Sequence, residues 1–303
     1  MVLNNLLAEI KKNNYRALAR AISIVENEIE GYYTLLQQLV AAQVRNVPVI
    51  GLTGPPGAGK SSLVAALLDY LLKQQKKIAV IAVDPSSPFN YGALLGDRIR
   101  LNQYYTNPNV YIRSLATRGS LGGLSEKIIE IVDVVKAANF DYIFVETVGV
   151  GQSEVEVAGL ADTTVVVLVP EAGDEIQTMK AGLMEVADVF VVNKADRSQA
   201  DRFVKNLKQL VHTKPFDGWT VPVLKTVAVN NEGVAELLSQ IDAHQKVQIT
   251  NNRKSFLMAQ KALKIIQKQR MKDLDVPKLK VAIEAALAEN ELFNLYTFVK
   301  EKY

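Results

Sequence analysis

The sequence predicts an α/β fold in which a mostly parallel β-sheet is flanked by helices. Between residues 47 and 229, short runs rich in valine and isoleucine alternate with helical stretches. The runs read VPVIGLT, KIAVIAVD, NVYIRS, DYIFVET, TTVVVLVP, VFVVNKAD and VPVLKTVAV. Strands that are apolar along their whole length are buried on both faces, which is typical of a parallel sheet covered by helices. We therefore expect a central domain over residues 46–250.

A helical extension is predicted over residues 1–45, before the first strand. Leu3, Leu6, Leu7 and Ile10 follow the i, i+3, i+4, i+7 spacing of one apolar helix face. A second helical pattern follows in the stretch YRALARAISIVENEI, and the glycine just after it indicates where this helix ends.

Another helical extension is predicted over residues 251–303, where the strand pattern stops. Its first part, residues 253–272, is a basic helix, and Pro277 starts the next helix. The basic helix carries an apolar stripe made of Phe256, Ala259, Leu263 and Ile266. We expect the basic side chains to form a solvated face and the stripe to form a dimer contact. The extension is therefore predicted to be the dimerisation arm of a homodimer.

The composition argues against several classes of function. The 303 residues contain 35 basic and 32 acidic side chains, a net charge of +3 that is too balanced to indicate a nucleic-acid partner. The absence of cysteine excludes disulfides and thiolate metal sites, and two histidines argue against a dedicated soft-metal site. No run of about 18 apolar residues occurs, so no membrane span is expected. The N-terminus lacks a signal-peptide layout, so we expect a cytoplasmic protein.

A phosphate-binding pattern, G-x-x-x-x-G-K-S, lies between a predicted strand and a predicted helix in VPVIGLTGPPGAGKSSLVAALLDYLL. Pro55 and Pro56 have no N–H, so the backbone donors to phosphate must begin at Gly57. Lys60 would supply charge for the β- and γ-phosphates, and the Ser61 hydroxyl would bind Mg²⁺. An ordinary glycine-rich turn with an exposed lysine is the alternative. The predicted nucleotide contacts of the loop are Gly54, Gly57, Ala58, Gly59, Lys60, Ser61 and Ser62.

A second motif, N-K-x-D, ends the predicted strand VFVVNKAD and indicates guanine. The Asp196 carboxylate can accept hydrogen bonds from N1–H and from the exocyclic amine of guanine, whereas adenine would face it with an acceptor. Lys194 can lay its methylene stem along the base, and Asn193 can donate towards the base and hold the loop. The backbone near Ala228, in TVAVNNEG, is the candidate contact to the guanine carbonyl oxygen.

Three carboxylates are candidate metal ligands together with Ser61. Asp84 and Glu146 each end a predicted strand, and Asp97 lies in the segment after Asp84. The carboxyl ends of parallel strands meet at one edge of the sheet, where ligands bind, so we expect these groups to converge on the Mg²⁺ of a bound nucleotide. A turn before a proline is the alternative role for Asp84.

The stretch ETVGVGQSE carries the pattern E-x-x-G where GTPases usually carry D-x-x-G. Glu146 would contact Mg²⁺ through water, and the Gly149 N–H would sense the γ-phosphate. Gln152 lies three residues after that glycine, whereas the water-positioning glutamine of Ras-type proteins follows it directly. The catalytic candidates are therefore Lys60, Glu146, Gly149 and Gln152, and we expect slow intrinsic hydrolysis.

With these motifs, the sequence resembles the MeaB/ArgK-like GTPases, the G-protein chaperones associated with methylmalonyl-CoA mutase. The resemblance covers most of residues 15–235. The matching segments are LARAISIVEN, GLTGPPGAGKSSL, VAVDPSSPFNYGALLGDRIRL, ATRGSLGGLS, DYIFVETVGVGQSEVEVA, EAGDEIQTMKAGLMEVADVFVVNKAD and NNEGV. Among them, VDPSSP and ETVGVGQSE are more specific than a phosphate loop.

The resemblance implies a SIMIBI-class P-loop NTPase that binds GTP or GDP with Mg²⁺ and is usually homodimeric. Such proteins gate the delivery of adenosylcobalamin to a cobalamin-dependent acyl-CoA mutase and protect that enzyme, and a cobalamin adenosyltransferase is a further candidate partner. The resemblance assigns phosphate and magnesium binding to Lys60, Ser61, Asp84, Asp97 and Glu146, and guanine binding to residues 193–196. It also implies that residues 171–180 couple nucleotide state to the partner.

The chain departs from the family pattern at two places. Glu171 adds a charge to the coupling segment, and Val227-Ala228 stands where Ser-Ala is usual, which weakens the proposed contact to the guanine oxygen.

Three alternative functions compete with the mutase chaperone. A nickel-insertion GTPase would need cysteine and histidine ligands that this chain largely lacks. A kinase, the older interpretation of ArgK-like sequences, would need a phosphoacceptor site that the sequence does not indicate. A scaffold that binds GTP without useful turnover is the third.

Overall fold

The computed structural model describes residues 2–42, 47–84, 101–116, 127–147, 153–170, 181–211, 218–247, 252–271, 273–289 and 293–302. The chain divides into two compact units, Met1–Lys254 and Ser255–Tyr303. The first unit contains both the sheet and the N-terminal helices. The finer division into residues 1–45, 46–250 and 251–303 stays a prediction from the sequence.

Within the described residues, seven strands form one sheet in the order β3-β2-β4-β1-β5-β6-β7, and every neighbouring pair is parallel. The predicted parallel α/β fold is therefore confirmed, and each predicted apolar run overlaps one strand. The strands are β1 Val49–Thr53, β2 Ile78–Asp84, β3 Val110–Ala116, β4 Tyr142–Glu146, β5 Thr163–Leu168, β6 Val189–Val192 and β7 Val223–Lys225.

Helices precede, separate and follow the strands. In the first unit they are α1 Val2–Lys11, α2 Tyr15–Glu26, α3 Tyr32–Ala42, α4 Lys60–Lys73, α5 Ile128–Lys136, α6 Ser153–Leu160, α7 Ala181–Val186, α8 Ala200–Val211 and α9 Val234–Lys246. The chain continues into α10 Asn252–Arg270, α11 Val276–Glu289 and α12 Leu295–Lys302. None of the helices in the described ranges combines the length and the apolar character that crossing a membrane requires.

The two faces of the sheet have separate apolar cores. On one face α4 and α9 pack against side chains of the central strands, including the fully buried Ile50, Leu52 and Phe144. On the other face α6 and α8 pack against β5 and β6, where Phe190 is buried. Burial on both faces explains why the strands read as continuous apolar runs.

The N-terminal helices pack beside the edge strand β3. The Tyr15 hydroxyl donates to the Pro108 carbonyl oxygen at 2.9 Å, and Arg113 of β3 forms an ion pair with Glu26 of α2 at 2.7 Å. Helix α2 ends at Glu26 rather than continuing to residue 29, because Asn27 caps it and Glu28 takes a left-handed backbone conformation with φ 49°.

At the amino edge of the sheet, where the strands begin, a polar cluster surrounds Trp219. The indole N–H donates to the Asp188 carbonyl oxygen at 2.8 Å, just before β6 begins. The buried His244 ring lies edge-on to the indole, with its Nδ1 2.8 Å from the Thr163 hydroxyl. Because these contacts lie where β5 and β6 start, the cluster is at the edge opposite the carboxyl ends of the strands.

The second unit exposes apolar side chains along its helices. No residue of 255–302 whose burial is described is buried. Phe256, Leu263 and Ile266 of the predicted stripe are 64%, 55% and 44% exposed. Helices normally bury their apolar face against another element, so this degree of apolar exposure is unusual.

Candidate nucleotide-binding site

The phosphate loop connects the carboxyl end of β1 to the start of α4. Gly54, Gly57 and Gly59 all have positive φ, at 135°, 76° and 87°, a region that side chains disfavour. A Cβ at Gly54 would collide with the Val167 carbonyl oxygen, and one at Gly59 would collide with the Asn193 amide. Glycine is therefore required at two points of the loop by contact as well as by backbone angle.

Lys60 lies inside the loop rather than in solvent, with a relative exposure of 6%. Its ammonium donates to the carbonyl oxygens of Gly54 at 2.8 Å and Pro55 at 3.1 Å. The positive charge of Lys60 therefore lies at the N-terminus of α4, where the backbone N–H groups also favour anions. The placement excludes the alternative of an exposed lysine on an ordinary turn.

Ser61 and Glu146 meet beneath the loop. The Ser61 hydroxyl donates to Glu146 Oε1 at 2.6 Å, and the two residues are only 3% exposed. Glu146 is the last residue of β4 and pairs in register with Leu52 of β1, which places its carboxylate beside the helix that follows β1. A hydroxyl and a carboxylate are the oxygen donors that Mg²⁺ takes, so these two side chains fit a magnesium ion.

The N-K-x-D motif at residues 193–196, the predicted base-recognition motif, is bonded directly to the phosphate loop. The buried Asn193 amide donates to the Ala58 carbonyl oxygen at 2.9 Å, and Lys194 donates to the Gly57 carbonyl oxygen at 2.9 Å. Lys194 itself has φ 57°, a strained angle for a residue with a side chain. Asp196, in contrast, is exposed. The motif thus ties two loops together while leaving its carboxylate available.

Ala228 lies beside the base-recognition motif but already has a hydrogen bond. Its N–H donates to Asn193 Oδ1 at 3.2 Å, and the same oxygen accepts from the Thr226 hydroxyl at 3.1 Å. A contact from Ala228 to the guanine carbonyl oxygen would have to compete with or replace this bond. That contact stays a prediction.

Several predicted site residues lie outside the described ranges. They are Asp97, Gly149, Gln152 and the segment 171–180. Asp84 is placed by its backbone alone, as the last residue of β2 in register with Ala116 of β3. Ser62 follows Ser61 in the first turn of α4.

Three threonines belong to the site although they were not among the predicted residues. Thr226 orients the Asn193 amide. Thr53 and Thr147, at the ends of β1 and β4, bond each other through their hydroxyls at 3.0 Å. Each of the three is the last residue of a strand or the residue directly after it, which is a signal in the sequence, but threonine is so common in strands that the pattern alone does not point to a site.

The loop, the buried lysine and the carboxylate at the end of the neighbouring strand together define a P-loop nucleotide-binding protein. The family of methylmalonyl-CoA mutase-associated GTPases named MeaB matches residues 18–281. The chain belongs to this family and is a GTPase, which confirms the resemblance found in the sequence.

Individual relatives agree with this assignment. The chain is 47% identical over 249 residues to a Pyrococcus abyssi protein whose name includes the word GTPase, covering 81% of this chain and 76% of that one. It is 37% identical over 256 residues to the mitochondrial methylmalonic aciduria type A homolog of Mus musculus, covering 78% of this chain and 61% of that one. A crystal structure of a LAO/AO transport system kinase aligns with 99% of this chain and 95% of its own, with a TM-score of 0.69 and 26% identity.

Proposed function

We propose that the protein binds GTP with Mg²⁺ and uses slow hydrolysis to gate adenosylcobalamin delivery to a cobalamin-dependent acyl-CoA mutase of the methylmalonyl-CoA mutase type. It would also protect that mutase, and a cobalamin adenosyltransferase is a further candidate partner. The observation that carries the nucleotide assignment is the Asn193 amide bonded to the phosphate loop at Ala58. This bond fixes the base-recognition loop relative to the loop that would hold the phosphates.

Guanine recognition is assigned to the exposed Asp196 carboxylate. It would accept from N1–H and the exocyclic amine, while the stem of Lys194 would cover the base. Asn193 contributes mainly by holding the two loops together, since its amide oxygen and nitrogen both bond protein groups. Base and phosphates would therefore be held by loops that are already joined before the nucleotide arrives, which lowers the ordering cost of binding.

Phosphate binding is assigned to the loop and to Lys60. The Lys60 ammonium, which bonds the Gly54 and Pro55 carbonyl oxygens, would turn to the β- and γ-phosphates. Ser61 and Glu146 would hold Mg²⁺, with Asp84 and Asp97 as further proposed ligands. When bound, Mg²⁺ would neutralise charge that develops on the phosphate oxygens.

Hydrolysis is proposed to depend on the segment after β4. The Gly149 N–H would sense the γ-phosphate, and Gln152 is the candidate for orienting the attacking water. Because Gln152 does not follow the glycine directly, we expect low turnover by the protein alone and stimulation by the partner.

The mutase partner is proposed from family membership. The family that matches residues 18–281 is described as associated with methylmalonyl-CoA mutase. The name of the mouse relative refers to methylmalonic aciduria. The homodimer is proposed from the second unit, whose exposed Phe256, Leu263 and Ile266 could pack against a second copy.

Phosphate release from GTP, measured with and without a methylmalonyl-CoA mutase, tests the function. We expect the protein alone to release phosphate slowly and the mutase to increase that rate at least severalfold. The Lys60→Ala variant should show neither the slow release nor the increase. GTP binding without any turnover would support the scaffold function instead. Transfer of the γ-phosphate to a protein, detected with labelled GTP, would support the kinase function, the activity in the name of the aligned LAO/AO transport system kinase.

A further inference from the structure

Two buried threonine hydroxyls join the strands that lead to the phosphate loop and to Glu146. Thr147 Oγ1 donates to Thr53 Oγ1 at 3.0 Å, and the two residues are 2% and 0% exposed. The Thr147 N–H also donates to the Leu52 carbonyl oxygen at 3.0 Å. The end of β4 is therefore fastened to the end of β1 through both backbone and side chain.

The hydroxyl pair lies on the face of the sheet opposite Glu146. Successive side chains of a strand alternate between faces, and Glu146 faces α4, where Ser61 lies. Thr147 therefore faces the side covered by α6. Gly51, on the same face of β1 as Thr53, supports this, because a Cβ there would press on Val157 of α6.

The consequence concerns the position of the Glu146 carboxylate. Leu52 and Glu146 form the last register pair of β1 and β4. Ends of strands fray readily, but the Thr53–Thr147 bond continues the connection one residue beyond Glu146. Glu146 is thus held from both sides along its strand while its carboxylate contacts Ser61 at 2.6 Å.

Packing alone does not require these hydroxyls. A valine pair would occupy nearly the same volume, and replacing both partners of a buried hydrogen bond by apolar groups of the same shape is close to neutral for stability. What the threonines add is a directional bond that fixes the separation of two strand ends.

We propose that Thr53 and Thr147 are positioning residues that hold Glu146 against Ser61 for magnesium coordination. The inference rests on the proposed function for its metal ion. Groups that orient metal ligands typically contribute about 10- to 100-fold in metal affinity, and we take the lower end because this pair acts through the strand rather than on the carboxylate itself.

The test is the dissociation rate of a fluorescent GDP analogue from the full-length protein, in excess Mg²⁺ and in EDTA. Thr147→Val should leave the rate in EDTA unchanged and reduce the slowing by Mg²⁺ about tenfold. Thr147→Ser keeps the hydroxyl and should behave as the parent protein. The double variant with Thr53→Val and Thr147→Val should show the same Mg²⁺ effect on the dissociation rate as Thr147→Val alone. Both substitutions remove the same hydrogen bond, so the second one adds no further loss.

The double valine variant also guards against misfolding, since it leaves no unpaired buried hydroxyl. If Thr147→Val unfolds, the double variant still reports the magnesium effect. The inference would be overturned if the folded valine variants kept the full slowing of dissociation by Mg²⁺. It would also be overturned if their dissociation rate changed by the same factor in EDTA as in Mg²⁺, because that result would indicate a structural role only. Both results leave the proposed function standing. Failure of the parent protein to bind the analogue at all would overturn the proposed function and this inference with it.

Discussion

At the scale of single residues, the predicted base-recognition motif combines a buried amide, Asn193, with an exposed carboxylate, Asp196. Asn193 is 2% exposed and bonds Ala58, Thr226 and Ala228, so any change there disturbs two loops at once. Asp196 is exposed. We therefore expect that a change at Asp196 alters base preference and leaves the hydrogen bonds between the loops intact.

Asp196→Asn should shift the nucleotide preference from GTP towards XTP. The amide presents a donor where the carboxylate accepted, which suits the carbonyl oxygen of xanthine and opposes the amine of guanine. We expect the GTP-over-XTP preference to fall roughly 100-fold, or about 2.7 kcal/mol. Competition binding against a fluorescent GDP analogue measures it. Asp201→Asn, the same change at an 88% exposed side chain of α8 that pairs with Lys225, should leave the preference unaltered. Unchanged selectivity in Asp196→Asn would count against the role.

At the scale of elements, the phosphate loop and the base-recognition loop behave as one structure. They are joined by hydrogen bonds from Asn193 and Lys194 and by the close approach of Gly59 to the Asn193 amide. Anything that separates them should weaken base and phosphate binding together.

Gly59→Ala should therefore weaken nucleotide binding by at least tenfold. The new methyl group meets the Asn193 amide, and φ 87° adds backbone strain of about 1–2 kcal/mol. Gly218→Ala is the matched control, because Gly218 has φ 83°, a new Cβ there would meet no atom within 4 Å, and it directly precedes Trp219 at the opposite edge of the sheet. Both variants should lose stability in thermal unfolding, but only Gly59→Ala should lose affinity for the GDP analogue. Equal affinities in the two variants would show that the loops are not coupled in this way.

The sequence predicts the positions of the helices and strands more completely than the side-chain contacts between them. Every strand was located, because burial on both faces leaves a continuous apolar run such as TTVVVLVP. The predicted end of α2, at residue 29, is three residues later than the observed end at Glu26. Glutamate rarely adopts the left-handed backbone conformation that Glu28 has, so the residue type gives no sign of this helix end. The Thr53–Thr147 and Asn193–Thr226 bonds depend on which strands are neighbours and in what register, and a single sequence does not specify either.

At the scale of the whole molecule, the two units differ in how they bury apolar side chains. The first has a core on each face of its sheet, whereas the described residues of 255–302 include none that is buried. Helices with this much exposed apolar surface are expected to associate with a partner surface.

Leu263→Glu should convert the proposed homodimer into a monomer. Leu263 is 55% exposed on α10, and a carboxylate there would be buried without a partner in any interface formed by the apolar stripe. We expect the dimer dissociation constant to rise roughly 100-fold or more, consistent with the cost of an unpaired buried charge. Sedimentation velocity over a range of protein concentrations measures it. Gln260→Glu, at an exposed polar position of the same helix, should remain dimeric. A dimer that survives Leu263→Glu would place the interface elsewhere.

The hydrogen bond from Trp219 to Asp188 has a practical consequence for all of these variants. Trp219 is the sole tryptophan of the sequence, and it is packed where the strands begin, across the sheet from the phosphate loop. Its intrinsic fluorescence should therefore report whether the sheet is folded, whereas a fluorescent nucleotide would report on the proposed site at the opposite edge of the sheet. A variant that keeps its denaturant midpoint by tryptophan emission but no longer retains nucleotide has lost its ligand contacts and kept its fold.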